Sequence, residues 1–369
     1  MNVVKVVRAM KRHGSKSDDS HTTCILEDRR ENLLQPALCA DDPDGLIPPS
    51  FGSGPVFVTF VRNGYFEPST GYAFTSDRSF IKESARTDAF RQSVAARYQT
   101  INFEAASSIQ GIEAPPFVVS TVVKNFCRWW LDQVSKYFIF DSARQFHSTH
   151  ESAMRYISNN LTSGFQLDTL SVLGLSAKTE FPDDSLLRGD FYMSSGLTFA
   201  GGQRISPVVT SFRTFVLDRL DQRPETIAPQ QTPGRIYISR ARAKMRRLLN
   251  EEELDPILER NGFVKVTLET LAIAEQIAMF RAADAIVGPH GVGLTNIMFC
   301  RPGTRILEMF PRAGLHSSAF MRIASLCHLG YGYVCGDSVE NSVSAENRNN
   351  ADIICPAARF EHALASVFA

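Results

Sequence analysis

A glycine-rich corner in the last third of the chain has the residue types of an anion-binding loop. Gly288, Gly291 and Gly293 lie between a β-branched run and a predicted helix start. Glycines let the chain turn sharply and let a ligand touch the backbone, and the first amides of a helix are unpaired and carry partial positive charge. The corner therefore suits a phosphate. The alternative is a plain strand-to-helix turn in which the glycines serve packing.

Three side chains are placed where they could complete such a site. Glu308 follows Gly288 by 20 residues and ends the next predicted strand, where a carboxylate can accept hydrogen bonds from a ribose diol. Arg240 stands at the tip of the predicted strand over 236–238, and its planar guanidinium can give a diphosphate two charge-assisted hydrogen bonds. His290 projects from the glycine corner, where contact with a diphosphate or sugar is as well supported as a structural role.

Arg240 opens a cluster of five basic residues within eight positions. A ligand-binding role is favoured for Arg240 because ligands of open parallel sheets bind beyond the carboxyl ends of the strands. For three of the others a solvated helix face is the preferred interpretation: Arg242, Lys244 and Arg247.

Two further clusters receive a structural interpretation. His147 and His150 are three apart on a predicted helix, and without a third ligand nearby they are interpreted as surface residues and not as a metal site. The pair Trp129 and Trp130 is predicted to give one core ring and one ring that faces a cleft.

The composition indicates a soluble globular chain. Its 369 residues correspond to about two and a half domains, and 39 basic residues balance 39 acidic ones, which argues against a nucleic-acid partner bound by bulk charge. No apolar run approaches the roughly 20 residues that span a membrane, and no signal peptide is visible, so a cytoplasmic location is expected, or a luminal one if an anchor was trimmed. The 7 cysteines show no metal or disulfide spacing.

Four regions follow from the pattern of the elements. Residues 1–50 are weakly patterned and are predicted to form an arm, and residues 51–223 form a first domain. Within it, residues 56–81 predict a small antiparallel β unit with a hairpin turn at Asn63-Gly64. A proline-rich linker over 224–233 leads to a second domain over 234–355 and a final helix over 356–369.

From residue 117 onward, predicted strands alternate with predicted helices, which is typical of parallel, doubly wound α/β sheets. Strands are predicted over 117–123, 137–140, 236–238, 263–267, 285–288, 305–310 and 331–334, and helices over 126–134, 167–173, 207–220, 248–260, 271–283, 294–299, 317–329 and 357–368. Asn250 and Glu253 have capping-box spacing. Pro256 predicts that the helix over 248–260 either bends or restarts with Asp255 as its cap.

The glycine corner and the strand after it resemble the signature of glycosyltransferase family 61, which includes plant β-1,2-xylosyltransferases, the EGF-domain O-GlcNAc transferase and bacterial capsular-polysaccharide enzymes. The resemblance is strong from about 234 to 312. The matching residues are Val-Gly-Pro-His-Gly-Val-Gly-Leu-Thr-Asn-Ile-Met-Phe at 287–299, Pro-Gly-Thr-Arg-Ile-Leu-Glu at 302–308, Tyr-Ile-Ser-Arg at 237–240, Arg-Arg at 246–247, Asn-Glu at 250–251, Glu-Gln-Ile at 275–277, and Phe280.

The resemblance is weaker over 125–132, where the family has Asn-aromatic-x-His-x-x-x-Asp or Glu. Arg128 stands in this chain where that histidine is expected. A histidine can exchange a proton near neutral pH and an arginine cannot. Either the role of this position is not proton transfer, or the activity of this chain is altered.

The resemblance implies an α/β fold of the GT-B type, in which two Rossmann-like domains face each other across a cleft and the second holds the nucleotide sugar. It also implies that the final helix packs back against the first domain. The reaction would be inverting: a base deprotonates an acceptor hydroxyl, which attacks the anomeric carbon as the nucleoside diphosphate leaves. The expected donor is a UDP-sugar and the expected acceptor a glycan or glycoprotein. No resident cofactor and no metal are expected, since no Asp-x-Asp is visible.

Under this resemblance each candidate residue has a role. Glu308 would bind the ribose, and Asp132 would be the base that accepts the hydroxyl proton. The leaving group would be stabilised by Arg240, by His290 and by the backbone amides of Gly291, Val292, Gly293, Leu294, Thr295 and Asn296.

Two alternatives stay open. Arg128 in place of a histidine motivates an inactive nucleotide-binding or scaffold protein on the same fold. A dinucleotide-dependent oxidoreductase could use the loop over 288–293, but its cofactor loop ordinarily follows the first strand of the domain, and here at least two predicted strands precede it.

Overall fold

The computed structural model divides into two compact units, one with residues 1–30 and 52–208 and the other with residues 31–51 and 209–369. The residues whose structure is described are 21–27, 31–33, 50–52, 54–81, 84, 98–109, 114–121, 125–161, 163–183, 185–199, 204–224, 232–312, 318–341 and 348–368. No helix in these ranges is long and apolar enough to cross a membrane.

Elements are numbered in chain order. The strands are β1 (His21–Glu27), β2 (Glu31–Leu33), β3 (Ser50–Gly52), β4 (Val56–Glu67), β5 (Tyr72–Phe74), β6 (Ser107–Ser108), β7 (Phe117–Val118), β8 (Tyr156–Ile157), β9 (Thr179–Glu180), β10 (Leu187–Ser194), β11 (Thr198–Phe199), β12 (Arg204–Ile205), β13 (Arg235–Ile238), β14 (Val264–Val266), β15 (Ala285–Pro289), β16 (Arg305–Pro311), β17 (Gly330–Val339) and β18 (Asp352–Ile354). The α-helices are α1 (Phe126–Arg128), α2 (Ser135–Ser142), α3 (Arg144–His147), α4 (Gly164–Val172), α5 (Val209–Asp221), α6 (Glu251–Arg260), α7 (Ile273–Ala282), α8 (Ala319–Leu326) and α9 (Ala357–Phe368). A π-helix spans Trp129–Val134, and 3-10 helices span Phe103–Ala105, Glu151–Ala153, Ser176–Lys178, Leu268–Thr270, Val292–Phe299 and Arg348–Asn350.

The first unit is built on one mixed sheet in the order β1-β4-β10-β7-β8-β9, with β5 on β4 and β6 on β10. Strands β1, β4 and β5 pair antiparallel, as predicted for this region. Strands β10, β7, β8 and β9 pair parallel. The predicted β unit is therefore antiparallel but continuous with the parallel strands, because β10 pairs with both β4 and β7.

The hairpin predicted at Asn63-Gly64 is wrong, since β4 runs through both residues. Asn63 adopts a left-handed φ of 46°, and the pairing with β10 shifts register between Gly189 and Phe191. A Cβ on Gly64 would lie 2.6 Å from the Phe74 carbonyl oxygen. The Asn-Gly pair therefore forms an irregularity inside a long strand, which is possible because both halves of β4 find partners in β10.

A continuous helical segment replaces the predicted helix and strand between residues 126 and 142. It consists of α1, the π-helix over Trp129–Val134 and α2. The strand predicted over 137–140 is wrong. The periodicity of a short apolar run cannot distinguish a buried helix from a strand. The prediction that one tryptophan ring faces a cleft is also wrong, since Trp129 and Trp130 are both fully buried.

The second unit contains five parallel strands in the order β14-β13-β15-β16-β17, followed by the antiparallel β18. Helices α6 and α9 pack with one face of the strands in a single hydrophobic core that includes Tyr237, Val287, Leu307 and Val334. Residues of opposite parity, such as Ile286 and Ile306, are fully buried as well. Both faces of the sheet are therefore covered, as the prediction of a doubly wound sheet requires.

Helix α6 contains Pro256 and is one uninterrupted helix from Glu251 to Arg260. It does not restart at Asp255. Its predicted capping box is absent. The Asn250 side chain accepts a hydrogen bond from the Cys355 amide at 3.0 Å and donates one to the Cys355 carbonyl at 2.8 Å. This asparagine therefore joins the start of α6 to the end of β18.

The predicted arm, linker and final helix compare with the structure in different ways. Residues 21–27 of the predicted arm form β1, and most of the rest of 1–50 lies outside the described residues. Helix α5 belongs to the second unit, and the linker predicted after it lies largely outside the described residues. The final helix α9 forms as predicted and buries Phe360, Ala363, Leu364 and Val367 in the core of the second unit. Its packing toward the first domain stays a prediction.

Candidate active site

The strand order of the second unit creates a topological switch point between β13 and β15. Strand β13 pairs with β14 on one side and with β15 on the other, so the chain leaves these neighbouring strands in opposite directions. In open α/β sheets ligands bind in the crevice beyond the carboxyl ends of the strands at such a point. Arg240 lies two residues beyond β13, and the corner of His290 and Gly291 follows β15 directly.

Arg240 lies against the backbone of the glycine corner. A Cβ on Gly291 would overlap Arg240 Nη1, so the glycine makes the close approach possible. The guanidinium donates hydrogen bonds from Nη2 to the Met245 carbonyl at 2.9 Å and from Nε to the Arg246 carbonyl at 3.2 Å. Burial, followed by the charge of Arg246, lowers the pKa of Arg240 to about 10. The structure thus brings Arg240 and the glycine corner together, and their contact with a diphosphate stays a prediction.

Arg246 is a second half-buried guanidinium at the same place, and sequence reasoning gave it no role of its own. It has a left-handed φ of 54° and donates from Nε to the His290 carbonyl at 3.1 Å and from Nη1 to Asn350 Oδ1 at 2.9 Å. Burial lowers the pKa of Arg246. Neither Arg240 nor Arg246 forms an ion pair with a described carboxylate. Two neighbouring cations without a direct ion-pair partner among the described residues favour an anionic ligand.

Arg247, the next residue, has a structural role. Its guanidinium donates to Asp352 Oδ2 from Nη2 at 2.6 Å and from Nε at 3.1 Å. The cluster is not the predicted helix face, since residues 241–246 form turns and bends. Arg242 and Lys244 are exposed on this segment. The sequence feature that could have indicated a role for Arg246 is the Arg-Arg pair of the family pattern. That pattern does not say which of the two arginines faces the site.

The helix after the glycine corner is a 3-10 helix over Val292–Phe299 with Gly291 as its N-cap. The Leu294 amide donates to the Gly291 carbonyl at 3.0 Å. Leu294, Thr295 and Asn296 are at most 1% exposed. Of the six predicted amide ligands, these three therefore lie inside the helix, and Gly291, Val292 and Gly293 lie at its start, where amides lack intrahelical partners.

Asn296 connects this helix to α7. Its Nδ2 donates to Gln276 Oε1 at 2.9 Å, and Gln276 Nε2 donates to the carbonyls of Leu268 and Leu271 at 3.0 and 3.1 Å. These bonds fix the position of the 3-10 helix against its neighbours. Asn296 thus acts through its side chain as a structural residue, and a contact between its amide and a ligand stays a prediction.

Gly291→Ala is expected to displace the Arg240 guanidinium and to weaken the binding of a nucleoside diphosphate at least tenfold, because the new Cβ would overlap Nη1. Gly293→Ala is the control, since its Cβ would meet only the flexible end of Leu268, 2.7 Å from Cδ1. Isothermal titration of both variants with UDP and GDP makes the comparison. Equal losses in the two variants would contradict the prediction.

His290 is held by β16 and β17. Its Nδ1 contacts Glu308 Oε1, and the Tyr331 hydroxyl donates to Glu308 Oε2. The imidazole stacks on Phe310 with ring centroids 4.9 Å apart and leans on Phe320 at 5.3 Å. Glu308 is 0% exposed, so both carboxylate oxygens are engaged inside the unit. The ribose role of Glu308 stays a prediction that would require one of these bonds to open.

The first unit places Asp132 in the π-helix, 3% exposed. Its Oδ1 accepts a hydrogen bond from Thr198 Oγ1, and its Oδ2 lies 3.4 Å from Arg128 Nη1. Arg128 Nη1 also contacts Thr198 Oγ1. A Cβ on Gly196 would lie 2.8 Å from Asp132 Oδ1. Arg128 therefore forms an ion pair with the proposed base instead of acting as a proton carrier.

Lys136 follows Asp132 by one helical turn and donates from Nζ to the Ser120 carbonyl at 2.8 Å. Burial lowers the pKa of this ammonium from 10.5 to about 8, and the charge of Asp132 offsets part of that effect. Between these two pH values the unfolded chain holds a proton that the folded chain has lost. Stability should therefore rise with pH in this window.

Relative to Lys136→Met, the wild-type protein is expected to gain about 1–3 kcal/mol in free energy of unfolding between roughly pH 8 and 10.5. Urea unfolding at both pH values measures the difference. Lys178→Met is the control, because Lys178 also donates to a backbone carbonyl, at 3.0 Å from Glu151 O, but its side chain is 29% exposed. A gain as large in the control would contradict burial as the cause.

The interpretation of His147 as a surface residue is wrong, while His150 is exposed as predicted. The His147 ring packs against both Phe117 and Tyr192, and its Nε2 lies 2.8 Å from the Phe140 carbonyl. Within the described ranges, no group of three or more His, Cys, Asp or Glu side chains could hold a metal ion.

Comparison with known proteins identifies the family. The profile described as Glycosyltransferase 61 matches residues 122–307, half of the chain, and the chain therefore belongs to glycosyltransferase family 61. It is 38% identical over 108 residues to the EGF domain-specific O-linked N-acetylglucosamine transferase of Drosophila melanogaster, a match that covers 28% of this chain and 20% of the fly protein. It is 30% identical over 91 residues to the alpha-1,3-arabinosyltransferase XAT2 of Oryza sativa subsp. japonica, covering 24% of this chain and 15% of the rice protein. The match thus spans a fifth or less of either relative.

Proposed function

We propose that this chain is an inverting glycosyltransferase that moves a sugar from a nucleoside diphosphate donor, a UDP-sugar in the first instance, to a hydroxyl of a glycan or protein acceptor. The observation that carries this proposal is the pair of half-buried guanidiniums of Arg240 and Arg246 at the switch point of a parallel sheet. Membership of the family and the two transferases that the chain resembles support the same reaction class.

In this proposal the second unit binds the diphosphate. Arg240, Arg246 and the amides of Gly291, Val292 and Gly293 supply donors to its oxygens. When the bond between the anomeric carbon and the diphosphate oxygen breaks, the electron pair moves onto the diphosphate. Donors that are already oriented stabilise this charge without reorganisation. The proposal includes two Rossmann-like domains in a GT-B arrangement and a leaving group stabilised without a metal.

On the acceptor side the proposed base is Asp132. Its Oδ2 lies 3.4 Å from Arg128 Nη1, and a carboxylate is a group that can accept a proton as a general base. The acceptor hydroxyl passes its proton to Asp132 as its oxygen bonds to the anomeric carbon from the face opposite the leaving group. Asp132 then releases the proton to solvent. Thr198 fixes the orientation of the carboxylate through its hydrogen bond to Oδ1.

The test is a two-part screen of the full chain. Isothermal titration with UDP and GDP measures diphosphate binding, and a panel of UDP- and GDP-sugars, with glycan and glycopeptide acceptors and with water alone, measures transfer and donor hydrolysis. Micromolar binding of one nucleoside diphosphate and consumption of one of its sugars are expected. If neither compound binds and no sugar is consumed, the proposed function is wrong.

A second candidate is a nucleotide-binding protein without transfer activity. The ion pair of Arg128 with Asp132 favours it, because an arginine replaces the family's histidine beside the proposed base. The screen separates the two functions, since the second candidate binds a nucleoside diphosphate but turns over no sugar with any acceptor or with water. Transfer that appears only in Arg128→His would show that the arginine suppresses the activity.

A further inference from the structure

An acidic residue to which sequence reasoning gave no role stands at the carboxyl end of β14. Glu269 lies in the 3-10 helix over Leu268–Thr270, which begins two residues after β14 ends. The Ser239 amide donates to the Val266 carbonyl at 2.9 Å, so the ends of β13 and β14 are level, at the usual strand spacing of about 4.8 Å. Glu269 is therefore at the same edge of the sheet as Arg240, one strand further along.

Contacts with the glycine corner fix the position of this 3-10 helix. A Cβ on Gly293 would lie 2.7 Å from Leu268 Cδ1. The Leu268 carbonyl accepts a hydrogen bond from Gln276 Nε2 at 3.0 Å, and Gln276 Oε1 accepts one from Asn296 Nδ2 at 2.9 Å. The backbone that carries Glu269 is thus tied to the helix that follows the corner.

Glu269 differs from two other carboxylates, Asp352 and Glu308, whose charges also act on the arginines of the site. Asp352 pairs with Arg247, and Glu308 is fully buried with both oxygens engaged. Glu269 is exposed, and its charge acts on Arg240. No described residue forms a hydrogen bond or an ion pair with it. Of these three carboxylates, Glu269 is therefore the one that can present both oxygens to a ligand.

The two sides of the glycine corner offer a nucleoside different surroundings. On the side of β16, the His290 ring stacks on Phe310 and leans on Phe320, and Glu308 is 0% exposed. On the side of β14, the exposed carboxylate of Glu269 stands beyond the strand end. In doubly wound nucleotide-binding sheets the phosphates bind beyond the first strand, and an acidic residue further along the chain hydrogen-bonds the ribose. In this sheet the first strand is β13, and β14 comes next in the chain.

We propose that Glu269 binds the ribose of the nucleotide-sugar donor, with its two carboxylate oxygens accepting hydrogen bonds from the 2′- and 3′-hydroxyls. A carboxylate can accept both bonds, and such charge-assisted bonds are roughly twice as strong as neutral ones. The assignment rests on the proposed function. It gives Glu269 the ribose role that the sequence predicted for Glu308.

The charge of Glu269 makes the proposal testable, because a carboxylate near the diphosphate repels it. Without bonds to the ribose, Glu269→Gln would strengthen UDP binding or leave it unchanged. With these bonds, Glu269→Gln should weaken UDP binding at least about tenfold. Inorganic pyrophosphate has no ribose, so its affinity should stay the same or rise. Isothermal titration measures both, and pyrophosphate binding also shows that the variant is folded.

Titration with 2′-deoxy-UDP tests the contact itself. The wild-type chain should bind it at least about fivefold more weakly than UDP. Most of this difference should vanish in Glu269→Gln, because the missing hydroxyl and the missing carboxylate are partners. Glu259→Gln is the control, since Glu259 is an exposed carboxylate near the end of α6, before β14 begins. It should leave the Kd for UDP within about twofold. GDP and 2′-deoxy-GDP are used if only GDP binds the wild-type chain.

Unchanged or tighter UDP binding by Glu269→Gln would overturn the proposal, as would an unchanged preference for UDP over 2′-deoxy-UDP. If that preference is lost in Glu308→Gln instead, the ribose is bound by Glu308 and the proposal is also wrong. In each of these cases UDP still binds the wild-type chain, so the proposed function stands. If neither UDP nor GDP binds the wild-type chain and no sugar is consumed, the proposed function is wrong, and the ribose role fails with it.

Discussion

Arg240→Ala is expected to weaken UDP binding by about 1.5–3 kcal/mol, or about 10- to 150-fold in Kd, without unfolding the chain. The half-buried guanidinium has no ion-pair partner among the described carboxylates, and it donates hydrogen bonds to two backbone carbonyls. A bound diphosphate would therefore supply its countercharge, and alanine removes that interaction. Isothermal titration gives the affinity, with GDP in place of UDP if only GDP binds the wild-type chain.

Two controls make the Arg240→Ala result specific. Arg242→Ala removes an exposed arginine from the same segment and should leave Kd within about twofold. Uridine lacks the diphosphate, so its binding should not distinguish wild type from Arg240→Ala. An unchanged UDP affinity in Arg240→Ala would show that this residue does not bind the diphosphate. Thermal unfolding shows whether the loss of the bonds to Met245 and Arg246 disturbs the fold.

Asp132→Asn should reduce sugar transfer by roughly 10²–10⁴-fold and leave the UDP affinity unchanged. Asparagine has nearly the same shape and can still accept a hydrogen bond from Thr198, but its amide cannot take up the acceptor proton. Initial rates with the donor and acceptor found by the screen measure the effect. The groups proposed to donate hydrogen bonds to the diphosphate all belong to the second unit. Titration with UDP therefore shows whether Asp132→Asn has lost catalysis or has lost binding of the sugar nucleotide.

Asp141→Asn is the matched control for Asp132→Asn. Asp141 lies nine residues further along the same helical segment and pairs with Arg144, so its amide variant should transfer sugar at close to the wild-type rate. Near wild-type transfer by Asp132→Asn would place the base elsewhere. Asp190 or a histidine would then be the next candidate, although Asp190 Oδ1 already accepts a hydrogen bond from the Asn63 amide at 2.7 Å.

Much of the second unit could be predicted from local sequence. Its strands are β-branched runs bounded by glycine and proline, and the helices between them have clear apolar spacing, so each local preference agrees with the fold. The first unit was harder to predict. Asn63-Gly64 has the composition of a turn, yet β10 pairs with both halves of β4 and overrides it. Residues 137–140 have the composition of a strand, yet they continue a buried helix.

Local sequence could not separate the arginines of the basic cluster. Arg246 and Arg247 are adjacent, but Asp352, more than 100 positions away, compensates Arg247 and leaves Arg246 half-buried beside His290. Likewise, Glu308 was predicted to end its strand but lies in the middle of β16, and its partner Tyr331 comes from the next strand. A residue's charge environment depends on neighbours across the sheet, and their identity follows from strand order and register.

The sequence by itself determined the family, the doubly wound character of the second sheet and the placement of Arg240 and the glycine corner at one edge of that sheet. All of these follow from short-range pattern, or from the rule that parallel strands end at one edge. Only the tertiary structure decided that Glu308 is fully buried against His290 and Tyr331, that Arg246 is a second cation without a direct ion-pair partner among the described residues, and that Arg128 is paired with Asp132. Those properties depend on burial and on distant partners, because the energy of a charge is determined by its surroundings in the folded chain.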